Sequence, residues 1–275
     1  MIDILMITYN RPDYTRLALL RLLETCDETM RVWLWHNGDH PETLEYVKSM
    51  AGHPRVRHFH HSTENRRLRE PTNWFWTHAD GEYISKIDDD NLMPLGWAQQ
   101  IRAAHEAESR LGVLGCWSFL KEDVVPELAE AKVRSFGGHR IMQNCWVAGT
   151  GYVMKRQCVD AMGLLKKDQS FPQYCIQLAL KGWIHGWMYP FLFMDNLDDP
   201  RHPMTRLKSE DDFRSGAGLS AQKFGVRTLQ DLRDRQRLIA LELQEASVDP
   251  LQCVGWRGRI NRMKKKLGLR RSAYA

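Results

Sequence analysis

Short apolar or β-branched runs alternate along this chain with segments whose apolar residues recur at helical spacing, and that alternation limits the fold more than any single motif. Ile2 to Thr8 predicts a strand. Asp13 to Glu24 predicts a helix with Leu17, Leu20 and Leu23 on its apolar side and Pro12 at its entrance. Val32 to Trp35 predicts a second strand running into the turn His36-Asn37-Gly38-Asp39, Pro41 opens a helix through Met50, and Val56 to His60 predicts a third strand. Pro71 starts a helix ending at Asp80-Gly81, and Glu82 to Ile87 predicts the next strand. Chains built this way lay crossover helices over a largely parallel sheet, so the expected class is α/β.

Further strands are expected over Leu111 to Trp117, Trp146 to Met154 and Trp187 to Met194, with Gly149-Thr150-Gly151 interrupting the second. Helices are expected over Pro172 to Lys181 and over residues 228–246, the latter with Leu232, Ile239 and Leu243 on one side. No repeat or low-complexity linker divides the chain. The simplest parse is one domain over residues 1–225 and a helical extension over 226–275.

In open α/β sheets ligands gather beyond the carboxyl ends of the strands. Thr8-Tyr9-Asn10, His36-Asn37-Gly38-Asp39 and Asp88-Asp89-Asp90 all fall at such ends, so three polar clusters converge on one edge. Three consecutive aspartates repel one another, and a cation offsets that cost. Asp88 and Asp90 offer hard oxygen donors suited to Mg²⁺ or Mn²⁺, which keeps several waters and completes its shell with substrate phosphates. A solvated turn is the alternative.

Composition removes other classes. With 43% hydrophobic and 27% charged residues the chain is neither disordered nor collagenous. Its apolar runs, such as Met188 to Met194 broken at Pro190, are far shorter than the about 20 residues of a membrane-spanning helix. The first residues carry an acid, Asp3, and no basic segment, so a cytosolic address is expected. The six cysteines form no C-x-x-C pair and are read as buried thiols. His58, His60 and His61 cluster without an acid or thiol to complete a metal site. Arg66, Arg67 and Arg69 form a basic loop that is either solvated or turned toward a diphosphate.

The order of these motifs resembles the family 2 glycosyltransferases, whose fold is the nucleotide-sugar-binding sandwich called GT-A. Thr8-Tyr9-Asn10-Arg11-Pro12 follows the opening strand; Asn37-Gly38-Asp39 follows the second; Asn65 and Asn73 precede Ala79-Asp80-Gly81-Glu82-Tyr83-Ile84; and Asp88-Asp89-Asp90-Asn91 is followed by Pro94. The likeness is clear over residues 2–100 and fainter to about residue 203. It implies a metal-dependent, inverting enzyme that moves a sugar from a nucleotide diphosphate sugar to a glycan or lipid-linked acceptor in cell-surface polysaccharide synthesis. Donor contacts would fall on Thr8, Tyr9, Asn10, Asn37, Asp39, Asn65 and Asp88, with Mn²⁺ or Mg²⁺ on Asp88, Asp90 and His202. Gly149, Thr150 and Gly151 would form the acceptor side, and Trp74, Trp76, Trp117 and Trp146 belong to segments that could border it. The family's Glu-Asp pair, which supplies the base, is absent; its place falls near Ser170 and Phe171, and Asp168 is the nearest carboxylate. A non-catalytic relative stays open, whereas a sugar nucleotidyltransferase would need a glycine-rich loop where Tyr9-Asn10-Arg11-Pro12 stands.

Residues 250–275 hold eight Lys/Arg and no acid. Trp256, Ile260, Met263 and Leu267 recur on one helical face among those cations, the pattern of a helix lying on an anionic membrane surface. Peripheral attachment at the inner face of the cytoplasmic membrane is therefore expected. No nucleic-acid reader motif accompanies the charge.

Overall fold

The computed structural model of the chain describes residues 1–216 and 225–266. Its first half alternates as predicted: β1 (Ile2–Tyr9), α1 (Pro12–Thr25), β2 (Met30–Asn37), α2 (Pro41–Met50), β3 (Val56–Ser62), α3 (Arg69–His78) and β4 (Tyr83–Asp88). Next come β5 (Asn91–Leu92), α4 (Trp97–Ala107), β6 (Leu111–Gly115), α5 (Pro126–Ala131), β7 (Val133–Phe136), β8 (His139–Asn144), β9 (Tyr152–Lys155) and α6 (Gln157–Met162). The remainder is α7 (Phe171–Leu180), β10 (Ile184–Met188), β11 (Asp195–Asn196), α8 (Glu210–Gly216), α9 (Leu229–Glu245) and α10 (Gly255–Lys266).

One large sheet runs β3-β2-β1-β4-β9-β6-β10-β8-β7, and β5 pairs with β11 apart from it. β1 is parallel to β2 and to β4, β2 to β3, and β10 to β6. The exceptions are β9, antiparallel between β4 and β6, and β8, antiparallel to β10 and β7. The sheet is thus largely parallel, as the alternation implied.

Each β1 side chain is assigned a face by the period of two. Ile2, Ile4 and Met6 pack with Ala18 and Leu22 of α1 and Trp97 and Ile101 of α4. Leu5 and Ile7 face the opposite layer, with Trp33, Trp35, Phe75 and Trp76, to which α7 adds Leu178 and α9 adds Leu243. Fully burying one such side chain contributes about 1.5–3 kcal/mol, so both faces of the sheet must be covered. α9 is therefore part of this packing: Gln244 accepts from the Val125 amide at 2.7 Å, and the Leu243 carbonyl accepts from Lys132 Nζ at 2.6 Å.

Several expectations need correction. Leu17 and Leu20 are exposed, because α1 buries Tyr14, Ala18, Leu19, Leu22 and Leu23 instead. The strand expected over Trp146 to Met154 is β9 alone. The strand expected over Trp187 to Met194 stops at Met188, where Pro190, which has no N–H for a ladder, follows. The β7–β8 hairpin was not anticipated, although its Gly137-Gly138 turn, at φ 56° and 83°, suits a two-residue connection. Trp76 and Trp117 are core residues rather than pocket walls. Trp74 packs among His58, His60 and His78, and Trp146 is half-buried against the same core. None of the six cysteines is in a disulfide, and four of them are buried, Cys26 and Cys253 being half-buried. No described helix is long and apolar enough to cross a membrane.

Candidate functional site

Parallel register brings the polar strand ends together. Ile7 lies opposite Trp35 on one side and Asp88 on the other, and Tyr9 lies opposite Asn37. The three clusters expected to converge therefore share one edge.

The aspartate triplet divides by direction. Asp89 is buried and turned into the protein, where it accepts from the Tyr9 amide at 3.0 Å, the Thr15 hydroxyl at 3.2 Å and Arg11 Nη2 at 2.6 Å. It locks the β1–α1 junction. Asp88 pairs with the Lys86 ammonium, which also donates to the Gly149 carbonyl at 3.0 Å. Asp90 accepts from Arg11 Nη2 at 2.9 Å and from the Asn91 side chain at 2.8 Å. The other Arg11 terminal nitrogen reaches Asp198 at 2.8 Å. Thr150 accepts from the Asp88 amide at 2.9 Å and donates to Asn91 at 2.8 Å, so the Gly149-Thr150-Gly151 segment is wrapped around the triplet.

Four carboxylates here share two cations, Lys86 and Arg11. Burial pushes the Asp88 and Asp89 carboxyls up, opposed by Lys86 and Arg11 respectively. Burial, and next the charge of Asp90, push Asp198 up to about 7. Arg11 is held protonated, since the three carboxylates overcome the cost of its burial. The cluster is short of positive charge. Hard oxygens with a charge deficit suit a divalent cation, to which Asp88 and Asp90, with Asp198 nearby, could offer oxygens. Among the described residues no three His, Cys, Asp or Glu side chains are grouped so as to hold a metal ion by themselves. A Mg²⁺-like ion needs no such group, because waters and substrate oxygens fill the remaining positions.

Other expected residues lie around this corner in different roles. Thr8 is buried, its hydroxyl 2.8 Å from His36 Nδ1. The Tyr9 ring lies beside Gly38, where a Cβ would come within 3.2 Å of it, and Asn10 is exposed at φ 48°. Asn37 spends its amide inside the protein: its oxygen accepts from Trp35 Nε1 and the Arg66 amide, both at 3.0 Å, and its nitrogen donates to the Arg67 carbonyl at 3.2 Å. It holds the 65–67 loop, which Asn65 also shapes by accepting from the Arg67 amide at 2.8 Å. Asp39 is exposed beside His61, 3.0 Å away.

Asp168 sits at φ 60° in the wall of a cavity of about 690 Å³ with Lys166, Gln173 and Cys253, and none of that lining belongs to the triplet. Ser170 caps α7 and forms a capping box with Gln173, which is why this helix starts where it does. Phe171, where an acid was expected, stacks on Tyr152 at 4.2 Å. His202 is nearly buried and faces Asp195 at 3.5 Å rather than joining Asp88 and Asp90. Asp198 belongs to the acidic segment Asp195 to His202, a second candidate group in the sequence, whereas Arg11 and Lys86 carried no assigned role; the one local signal was Arg11-Pro12 directly after the first strand.

Residues 3–145 match the model of the Glycosyl transferase family 2. The chain belongs to that family. It is accordingly an enzyme, a glycosyltransferase. Comparison with curated protein sequences found no match. Among solved structures, the mannosyltransferase PcManGT from Pyrobaculum calidifontis, in complex with GDP-Man and Mn²⁺, is similar with a TM-score of 0.59 at 16% identity, covering 99% of this chain and 81% of that one. S. aureus TarS 1-349 in complex with UDP-GlcNAc is similar with a TM-score of 0.61 at 12% identity, covering 96% of this chain and 72% of that one. The GT-A sandwich expected from the motif order is the fold found.

Proposed function

We propose that this glycosyltransferase is metal-dependent and inverting, and that it moves a sugar from a nucleotide diphosphate sugar to a glycan or lipid-linked acceptor in cell-surface polysaccharide synthesis. The observation that carries the reading is the charge-deficient carboxylate corner made by Asp88, Asp90 and Asp198 at the carboxyl edge of the sheet. The Mn²⁺ and GDP-Man held by PcManGT and the UDP-GlcNAc held by TarS support it.

In this reading residues 1–225 carry the catalytic site, and α9 of the extension packs against the same sheet. Asp88 and Asp90 would hold Mn²⁺ or Mg²⁺, which when bound neutralises charge on the departing diphosphate. The Tyr9-Asn10 turn, Asp39 and the 65–67 loop border the nucleotide, with Asn37 acting through that loop. Gly149 to Gly151 set the acceptor side, where absent side chains let a sugar approach the backbone. The 226–275 extension includes the basic helix α10, whose charge suits an anionic leaflet on the cytoplasmic side.

Calorimetric titration of GDP and UDP in the presence of Mn²⁺ tests this. Wild-type protein should bind at least one of them, and Asp90→Ala should weaken that Mn²⁺-dependent binding by about 100-fold, the scale of one charged contact. Undiminished binding by Asp90→Ala would refute the site.

A further inference from the structure

An inverting transfer needs a carboxylate to take the acceptor proton, and the acids at the strand edge are not equally free to do so. Asp88 is held by Lys86, and Asp89, Asp90 and Asp198 by Arg11. Asp199 is held by Arg201 at 2.7 Å, which also binds Asp123 at 2.6 Å. Asp195 differs. It stands on β11 opposite Leu92 of β5, two residues past the triplet, and the Leu197 amide fixes this strand to the Asp90 carbonyl at 2.8 Å. Its side chain is 58% exposed, and among the described residues no lysine or arginine pairs with it.

What does face Asp195 is the imidazole of His202, with Nε2 at 3.5 Å. His202 Nδ1 accepts from the Met204 amide at 3.2 Å, which leaves the ring proton on Nε2, the nitrogen turned toward the carboxylate. An almost buried ring, itself tied down, thus points a donor at an accessible acid. Asp195 also lines a cavity of about 90 Å³ with Ser118, Phe119, Lys121, Phe193 and Met194. At this size the cavity admits a hydroxyl or hydroxymethyl arm of an acceptor rather than a whole ring, with aromatic side chains beside polar ones at its wall. Met194 connects this cavity to the donor corner, since a side chain at Gly151 would run into its sulfur, and the Gly151 amide donates to the Lys86 carbonyl at 2.9 Å.

We propose that Asp195 is the general base of the transfer, that His202 is its positioning residue, and that the acceptor hydroxyl enters through this cavity; the assignment rests on the donor reading above. The acceptor oxygen gives its proton to an Asp195 carboxylate oxygen as its lone pair forms the bond to the anomeric carbon. The bond from that carbon to the diphosphate oxygen breaks, and its electron pair leaves with the nucleoside diphosphate. Asp168, in the wall of the other cavity, takes no part.

The test uses the full chain with UDP- and GDP-sugars, Mn²⁺ and water as acceptor, reading donor hydrolysis, together with calorimetry of UDP and GDP. Asp195→Asn should lower kcat by about 100-fold or more at unchanged nucleotide affinity. His202→Ala should lower kcat less, with donor KM unchanged, and His202→Gln, which keeps a donor, should recover part of the loss. Asp168→Asn should turn over like wild type. The proposal is overturned if Asp195→Asn keeps its kcat, if it loses nucleotide affinity in step with kcat, or if Asp168→Asn is the variant that fails. A wild-type chain binding neither nucleotide would overturn the donor reading itself, and binding is measured apart from turnover.

Discussion

At the scale of single residues, neighbours rather than residue type decide whether a buried acid holds the fold or serves the pocket. Asp3 is fully buried on β1, far from the carboxyl edge. It accepts from Arg31 at 2.7 and 2.8 Å, from Trp33 Nε1 at 3.1 Å and from the Asp80 and Gly81 amides at 3.1 and 2.6 Å. That explains the Asp80-Gly81 step, because a side chain at Gly81 would press on the Asp3 carboxylate at 2.8 Å. Removing Asp3 leaves Arg31 with only the exposed Asp80 and strips the Trp33 indole and two amides of their acceptor, so Asp3→Ala should cost about 2–4 kcal/mol in urea unfolding. Nucleotide affinity of the folded fraction should not change. A loss below about 1 kcal/mol would show that Asp3 is not the keystone of this end of the sheet. The triplet itself was readable in the sequence; that its middle member faces inward was not, because alternation gives direction only while a strand continues, and the strand ends at Asp88.

At the scale of elements, the chain obeys periodicity where the strands are parallel and departs from it where they reverse. β1, β2 and β4 match their predicted spans within a few residues, since each is buried on both faces and reads as a largely apolar run, whereas β3, at the sheet edge, is only half-buried. β7 and β8 are short and polar on one side, so they escaped notice. Their join to the rest depends on Gly186 in β10, where a Cβ would run into the Met142 carbonyl of β8. Gly186→Ala must therefore push the two strands apart, at a cost of about 2–3 kcal/mol and a fall in Tm of about 5 °C. Gly52→Ala, which meets nothing within 4 Å, is the control and should unfold like wild type. Equal melting of both variants would count against this account of the β8–β10 contact.

At the scale of the whole molecule, the charge is divided between an acidic pocket edge and a basic C-terminal segment. Along α10, Trp256, Ile260 and Met263 are 67%, 39% and 61% exposed, so the apolar stripe expected there is not spent on the protein's own core; Leu267 lies outside the described residues. Deleting residues 254–275 should release the enzyme from phosphatidylglycerol vesicles in a flotation assay while nucleotide affinity stays the same. Vesicle binding that survives the deletion would reject the surface-helix reading. Neutral phosphatidylcholine vesicles should retain little of either form, because about 1 kcal/mol per cation depends on anionic lipid.

The α/β class, the crossover order and the edge at which polar residues meet follow from patterns spanning a few residues each. Helical spacing, the period of two and turn chemistry are local, and a reader needs no partner segment to find them. Which acids are free is a different matter. Arg11 meets Asp198, and the segment in which His202 faces Asp195 meets the triplet, only because β5 and β11 pair across some hundred intervening residues. A contact of that kind has no periodicity to betray it. Folding chose, among carboxylates of the same chemistry, which are neutralised by an arginine or lysine and which, like Asp195, stay open to a cavity.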